Sequence, residues 1–502
     1  MSDIASFARE FNDIPAIVGT GFMRLRHGRY LLLQVNQSDK ARAWLREIQS
    51  SGRVHSLADV RRAEAGPSRQ KTPDEAAAAK MGHGETVTLA FSHAGLLELG
   101  LSEHVDRPFP SAFRAGMSCA SRRQLLGDEP GPNWCWGDSD QGNNFPVHIF
   151  VLHFWDGGSA PALEWDSAHL KASGFSVKFI DTCPSYIDEP RRGEPTMHEP
   201  FGFRDGIGQP LLRGIALSSA ESLAQNRAGC EAFEDRLVSP GEFVLGHCNQ
   251  YGERTYCPGL ARMQGDTMVV DAAFGRNGSY LVVRQIEQHV QVFREFASGS
   301  TIGDIAERMM GRRMDGAPLM RSPNAPPERD AFRYLVNDAD GFQCPRGAHV
   351  RRANPRDALA DEVKAGINAS KLHRLLRRGR VYAEGCVAAA SAQTCDGNDA
   401  RRAEGCGKGL MFLALNADLD RQFEFVQRSW IAGSRFGDMS DEQDPILGTV
   451  RGRTFTVQGH PAGACVGPLP RFTTLRGGGY FFVPGLAALK FISGSLCFRC
   501  QK

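Results

Sequence analysis

The stretch Glu199-Pro-Phe-Gly-Phe-Arg-Asp-Gly-Ile-Gly-Gln-Pro210 sets Asp205 among three glycines and two prolines. So few helix or strand formers read as a rigid turn. In isolation, a Gly-x-x-Asp-Gly run would be an Asx-type turn in which the carboxylate bonds its own backbone. It is not isolated. Downstream comes Cys344-Pro-Arg-Gly-Ala-His-Val-Arg-Arg-Ala-Asn-Pro-Arg356, in which one histidine is followed by three arginines, and then Leu376-Arg-Arg-Gly-Arg-Val-Tyr382. Together the three stretches offer an acid/base carboxylate, a nitrogen ligand and several fixed cations.

Other blocks extend the pattern: Pro240-Gly-Glu-Phe-Val-Leu-Gly246, Asn277-Gly-Ser-Tyr-Leu-Val282, Gly409-Leu-Met-Phe-Leu413 and Arg421-Gln-Phe-Glu-Phe-Val-Gln-Arg428. With Gly202 to Gly206 and Gly347 to Arg356, they make the chain resemble the dye-decolourising peroxidases over most of its length, from Ile17 to Leu486. The resemblance implies an α+β fold of two ferredoxin-like halves, antiparallel sheets with helices packed on them, and haem in the C-terminal half. We expect an N-terminal half over residues 1–240 that carries the Gly-x-x-Asp-Gly motif, and a haem-binding half over 241–502.

Internal repetition supports duplicated halves. Gly28 to Val35 is an apolar β-type run followed by a helical pattern at Ala41, Trp44, Leu45 and Ile48, and Gly278 to Gln285 is followed by one at Val290, Val292, Phe293 and Phe296. Likewise Thr86 to Phe91 leads to a helix beginning at Ser92, and Leu410 to Leu415 to one beginning at Asn416, both good N-cap residues. Val147 to Phe154 and Phe175 to Ile180 read as further strands. The polar segment 52–80 reads as a loop, and the Pro-, Asp- and Arg-rich segment 312–340 as a long connection.

Composition bounds the function. The chain has 502 residues, 41% hydrophobic and 23% charged, with a net charge of +2, so nothing points to nucleic acid. No apolar stretch has the ~18 residues of a membrane span, and no basic segment with an apolar run opens the chain, so the cytoplasm is the expected location. The 13 cysteines lack a disulfide spacing. Cys497 and Cys500 have the spacing of half a zinc site without a second pair. The insertion 386–406, rich in Gly, Ala, Ser and Asp, departs from the family's shorter connection and reads as an exposed loop.

The resemblance assigns roles. His349 is the proximal iron ligand of heme b, with the small Gly347 and Ala348 beside it and with Arg351 and Arg356 placed to meet the propionates. Asp205 is the distal acid/base that shuttles a peroxide proton on the way to a ferryl state. A carboxylate base stays ionised in mildly acidic water where a histidine would be protonated, so dye oxidation should peak at acidic pH. Arg377 is the distal cation; sequence alone leaves Arg378 as its rival, and the Arg-x-Gly-x-x-Tyr alignment selects Arg377. Leu410 and Phe412 match the distal wall, although core packing would bury them equally. Asp444, in Asp444-Pro-Ile-Leu-Gly448, matches the partner of the proximal histidine, or else opens a turn before Pro445. Tyr382 is the expected surface aromatic for electron transfer from bulky dyes, with Trp430 second; both also fit plain packing.

The expected reaction is reduction of hydrogen peroxide with oxidation of dyes, phenols or other small reductants, in a protein that is a monomer or a homo-oligomer. A haem carrier or iron-releasing protein would need the same ligand but not Asp205 and Arg377. A haem-free structural or cargo protein would need neither.

Overall fold

The computed structural model describes all residues except 1, 65–83, 129–133, 138–144, 157–164, 189–195, 216–233, 321–331, 384–406, 451 and 495–502. Nine strands form one antiparallel sheet: β1 (His27–Val35), β2 (Glu85–Phe91), β3 (Ile149–Trp155), β4 (Phe175–Asp181), β5 (Ser279–Gln288), β6 (Leu376–Arg377), β7 (Arg380–Ala383), β8 (Lys408–Asn416) and β9 (Thr473–Val483). Their order is β6-β8-β5-β9-β2-β3-β1-β4, with β7 beside β8 on the same edge as β6.

Strands β1 to β4 therefore lie on one side of the sheet and β5 to β9 on the other, meeting where Phe482 of β9 pairs with Phe91 of β2. The outer ends meet as well. Thr182, just past β4, bridges Tyr382 of β7, and the Cys183 N–H donates to the Val381 carbonyl at 3.0 Å. The two half-sheets thus close on each other, which leaves few unpaired edge groups.

Side chains alternate along each strand, so each strand feeds two cores. Leu31, Leu33, Val87, Leu89, Val151 and Val282 face the helices, which include α1 (Ser38–Ser50). Tyr30, Leu32, Phe150, Leu152, Leu281, Val283, Leu413 and Phe481 pack inside the closed sheet with Phe7, Ile14 and Ile17 from the N-terminal segment. Helix α1 buries Ala41, Trp44, Leu45 and Ile48, the apolar stripe expected of it. Its counterpart after β5, α2 (Val290–Gly299), buries Val290 and Phe293 but leaves Val292 37% exposed, because that position turns away from the sheet.

The Ser92 hydroxyl accepts the Gly95 N–H at 3.0 Å and starts a helix after β2. The matching start after β8 is displaced from Asn416, whose backbone is held in the strand opposite Tyr280. The Asp418 carboxylate instead accepts the Arg421 N–H, and the Gln422 side-chain Oε1 accepts the N–H groups of Ala417 and Asp418, all at 3.0 Å. These bonds satisfy the orphan donors of the first turn. The helix they open is wide: Glu424 N–H bonds Leu419 O at 2.9 Å and Ala432 N–H bonds Gln427 O at 2.8 Å, both five residues back.

The segment 52–80 holds a helix at Leu57–Glu64, where a loop was expected, and 312–340 holds one at Tyr334–Asp338. Val60 and Tyr334 are buried, which explains both. The insertion 386–406 and the Cys497/Cys500 pair lie outside the described residues. The described cysteines are all free thiols.

Candidate active site

Asp205 stands at the end of a tight hairpin, where Arg204–Asp205 pairs with Met197–His198. Gly202 and Gly206 take φ of 106° and 81°, a region an L side chain rarely enters, so the motif's glycines are needed by the backbone. The buried Glu199 carboxylate ties the turn by accepting the N–H groups of Phe201 at 3.0 Å and Phe203 at 2.9 Å, and the Gln288 amide at 2.5 Å. Burial, with Asp205 nearby, pushes the Glu199 pKa up to about 7 against the pull of those donors.

Arg377 of β6 reaches the same turn. Its Nη1 donates to Asp205 Oδ1 at 2.9 Å, its Nη2 to the Ile207 carbonyl at 2.8 Å, and its backbone N–H to the Gln209 side chain at 3.0 Å. The guanidinium is fixed by two bonds and the backbone by a third, which leaves Asp205 Oδ2 for another partner. Arg378 points elsewhere, donating to the carbonyls of Ile17, Val18 and Arg377.

The third residue of the site is His349, first residue of the short helix α3 (His349–Ala353). Its Nδ1 donates to Asp444 Oδ2 at 2.9 Å, while Asp444 Oδ1 accepts the N–H groups of Ile446 and Leu447 at 2.9 and 2.8 Å. Asp444 therefore does both things its sequence suggested: one oxygen opens the turn at Pro445 and the other orients the imidazole. Burial opposes a charge on His349, but the Asp444 carboxylate outweighs it and raises the imidazole's pKa. The same pairing holds the fully buried Asp444 low. Bonded through Nδ1–H, the ring presents the Nε2 lone pair to a metal.

Asp205, Arg377 and His349 line one cavity whose empty space, including its mouth, is about 1420 Å³. Phe203, Leu410, Phe412, Val426, Ile431 and Leu447 supply apolar walls, and Asp205, Arg377 and His349 face into it. The wide helix after β8 delivers Phe423, Val426, Gln427 and Ile431 to one wall. Apolar walls, one imidazole and several cations suit an iron porphyrin with two carboxylates.

Three expectations need correction. Arg351 and Arg356 do not line the cavity: Arg351 is buried against Asp338, the Cys344 carbonyl and the Tyr334 ring, and Arg356 stacks 3.7 Å over Phe332 and donates to its carbonyl. The cations on the cavity wall, besides Arg377, are Arg204, Arg312 and Arg374. Gly347 and Ala348 are small for packing behind the helix, not for approach to a cofactor. A Cβ on Gly347 would lie 2.1 Å from Glu442, and Ala348 packs with Tyr334 and Cys344. Tyr382 is 1% exposed and packs inside the closed sheet, so it is no surface aromatic, and Trp430 is 5% exposed.

One residue that sequence reasoning passed over is Arg352. Fully buried, it donates to the carbonyls of Gly347, Trp430, Gly433 and Glu442, and so ties α3 to the end of the wide helix.

Comparison with known proteins points the same way. A family model described as "Dyp-type peroxidase, C-terminal" matches residues 259–458. A dye-decolorizing peroxidase of Exidia glandulosa is 27% identical over 434 residues, covering 80% of this chain and 74% of that protein. The multifunctional dye peroxidase DyP2 of Amycolatopsis sp. is 32% identical over 239 residues, covering 42% of this chain and 48% of its own. Among solved structures, the DyP-type peroxidase of Anabaena sp. superposes with a TM-score of 0.70 at 21% identity, over 97% of this chain and 95% of that one. The two ferredoxin-like halves thus carry a cavity lined by an imidazole and a carboxylate–guanidinium pair. Residues 259–458 thus match the C-terminal region of the DyP-type peroxidase family, and the chain is similar over about four-fifths of its length to dye-decolorizing peroxidases.

Proposed function

We propose that this protein reduces hydrogen peroxide at a bound heme b and oxidises dyes, phenols or similar small reductants. The observation that carries the reading is the cavity with His349 on one side and the Asp205–Arg377 pair on the other. His349 Nε2 would hold the iron, and Arg204, Arg312 and Arg374 are the cations available to the propionates. When bound, haem supplies the iron at which peroxide is cleaved and the store of two oxidising equivalents.

The chain's own residues do the rest. Asp205 Oδ2 takes the proton from one peroxide oxygen and returns it to the other, so that water leaves. Arg377 stabilises negative charge on the departing oxygen and holds Asp205 in place through its Oδ1. Asp444 holds the imidazole in one tautomer and gives it anionic character. Leu410 and Phe412 narrow the space beside Asp205 and limit water.

A haem carrier would need His349 alone, so the fixed carboxylate–guanidinium pair favours the enzyme. The test is direct: with peroxide, the haem-loaded protein should bleach an anthraquinone dye, and Asp205→Asn should abolish bleaching while haem stays bound. Bleaching that survives in this variant would remove Asp205 from its role.

A further inference from the structure

A small cavity, about 320 Å³ including its mouth, shares Arg374 with the wall of the large one. Five cations line it, Arg236, Arg333, Arg356, Lys371 and Arg374, and among the described residues of its wall Asp235 is the only carboxylate. With five positive charges against one negative, the wall has an excess of four. Lys371 is 8% exposed and Arg374 9%, so part of this charge is held away from water.

The hydrogen bonds of these side chains fix their positions. Asp235 answers Arg333, accepting from its Nε at 2.9 Å and its Nη2 at 3.3 Å. Lys371 Nζ donates to the Glu234 carbonyl at 2.7 Å, Arg374 Nη2 to the Gly208 carbonyl at 2.5 Å, Arg236 Nη2 to the Gln209 carbonyl at 3.2 Å and Arg356 Nη1 to the Phe332 carbonyl at 3.1 Å. A carbonyl oxygen accepts a hydrogen bond but carries no net charge, so these bonds place the cations without cancelling them. The Glu234 carboxylate pairs with Arg213. Burial, followed by the Arg213 charge, lowers the Lys371 pKa against the pull of Asp235 and Glu234. Like charges gathered away from water cost free energy unless a counter-charge joins them.

We propose that this cavity binds one small inorganic anion, chloride or an ion of similar size, held by Lys371 and the arginines around it. With less than a quarter of the large cavity's volume, and with long side chains crossing it, the space suits an ion better than an organic acid. Two of its cations hold the carbonyls of Gly208 and Gln209, just past Asp205, so the anion braces the same turn that carries the carboxylate. The proposal goes beyond the peroxidase reading and does not rest on it, because neither peroxide nor turnover enters.

The test compares thermal unfolding of the haem-loaded protein in sodium chloride and in sodium gluconate at about 0.15 M each, where screening is the same and gluconate is too large for the cavity. Binding to the folded state alone raises Tm, and chloride should raise it by at least ~2 °C over gluconate in wild type. Lys371→Met, which shares every non-specific effect of the two salts, should lose that difference. A crystal of the wild-type protein soaked in bromide, which scatters anomalously, should show a peak in contact with Lys371 Nζ, a result that needs no variant. An equal response of wild type and Lys371→Met to chloride, or a cavity without a bromide peak, would overturn the proposal. So would a chloride effect that is present in haem-free protein and absent from the haem-loaded one, since the cavity would then seat a haem carboxylate.

Discussion

Arg377 Nη1 lies 2.9 Å from Asp205 Oδ1, joining two residues 172 positions apart on the wall of the large cavity. The pair is held from both sides, by the Gly-x-x-Asp-Gly turn and by strand pairing of β6 with β8. Losing either member should therefore remove chemistry and not cofactor. Asp205→Asn and Arg377→Leu should each slow reaction with peroxide by at least ~100-fold in stopped-flow absorbance, with haem content unchanged.

His349 and Asp444 should separate differently. His349→Ala removes the only imidazole among the described residues of the cavity wall and should abolish stable haem retention. Asp444→Asn keeps the shape but cannot give the imidazole anionic character, so haem should bind while activity falls about 10- to 100-fold. Pyridine haemochrome content together with a dye assay distinguishes the two.

Glu199 predicts a pH dependence of stability. Its folded pKa, about 7, lies above the ordinary 4.5, so folding favours the protonated acid. The stabilisation is full below pH 4.5 and is lost as pH rises through about 7. At about 1.4 kcal/mol per pKa unit the whole effect is on the order of 3 kcal/mol. Glu199→Gln should be less stable at pH 4.5, because its amide nitrogen, unlike the acid's hydroxyl oxygen, cannot accept from the Phe201 or Phe203 N–H group, and should lack the wild-type decline between pH 5 and 7. Urea unfolding across this range reads both.

Arg352 should matter for stability and haem retention together. Arg352→Met leaves four buried carbonyls without their donor, and a loss of about 3–5 kcal/mol is expected. Thermal unfolding with and without haem checks it.

Tyr382, buried inside the closed sheet and absent from the cavity wall, should not receive electrons from a bulky dye directly. Tyr382→Phe should leave turnover of large dyes within about twofold of wild type, a surface substitution's scale of effect rather than a catalytic one. A large selective loss for bulky dyes would restore it as a relay.

What the sequence made legible was local. Asp205, His349, Arg377 and Asp444 each sit in a short run whose glycines, prolines or arginines mark it, and the structure draws all four to one place. The propionate assignment failed for a geometric reason. Helix α3 turns His349, Val350 and Ala353 toward the cavity, so Arg351 between them faces the opposite side. Arg204, Arg312 and Arg374 come from three distant segments, and only Arg204, inside the Gly-x-x-Asp-Gly run, carried a local signal. Closure of the sheet depends on Thr182 meeting Tyr382, a contact between residues 200 apart that no local pattern encodes. The shift of the helix cap from Asn416 to Asp418 likewise followed from strand pairing with Tyr280.

The most direct test of the account is the absorption spectrum of the purified protein titrated with haemin, wild type beside His349→Ala. The account predicts a Soret band that saturates at one haem per chain in wild type, with spectral change on adding peroxide, and no comparable band in the variant. A wild-type protein that takes up no haemin, or a His349→Ala variant with the same spectrum and affinity, would contradict it.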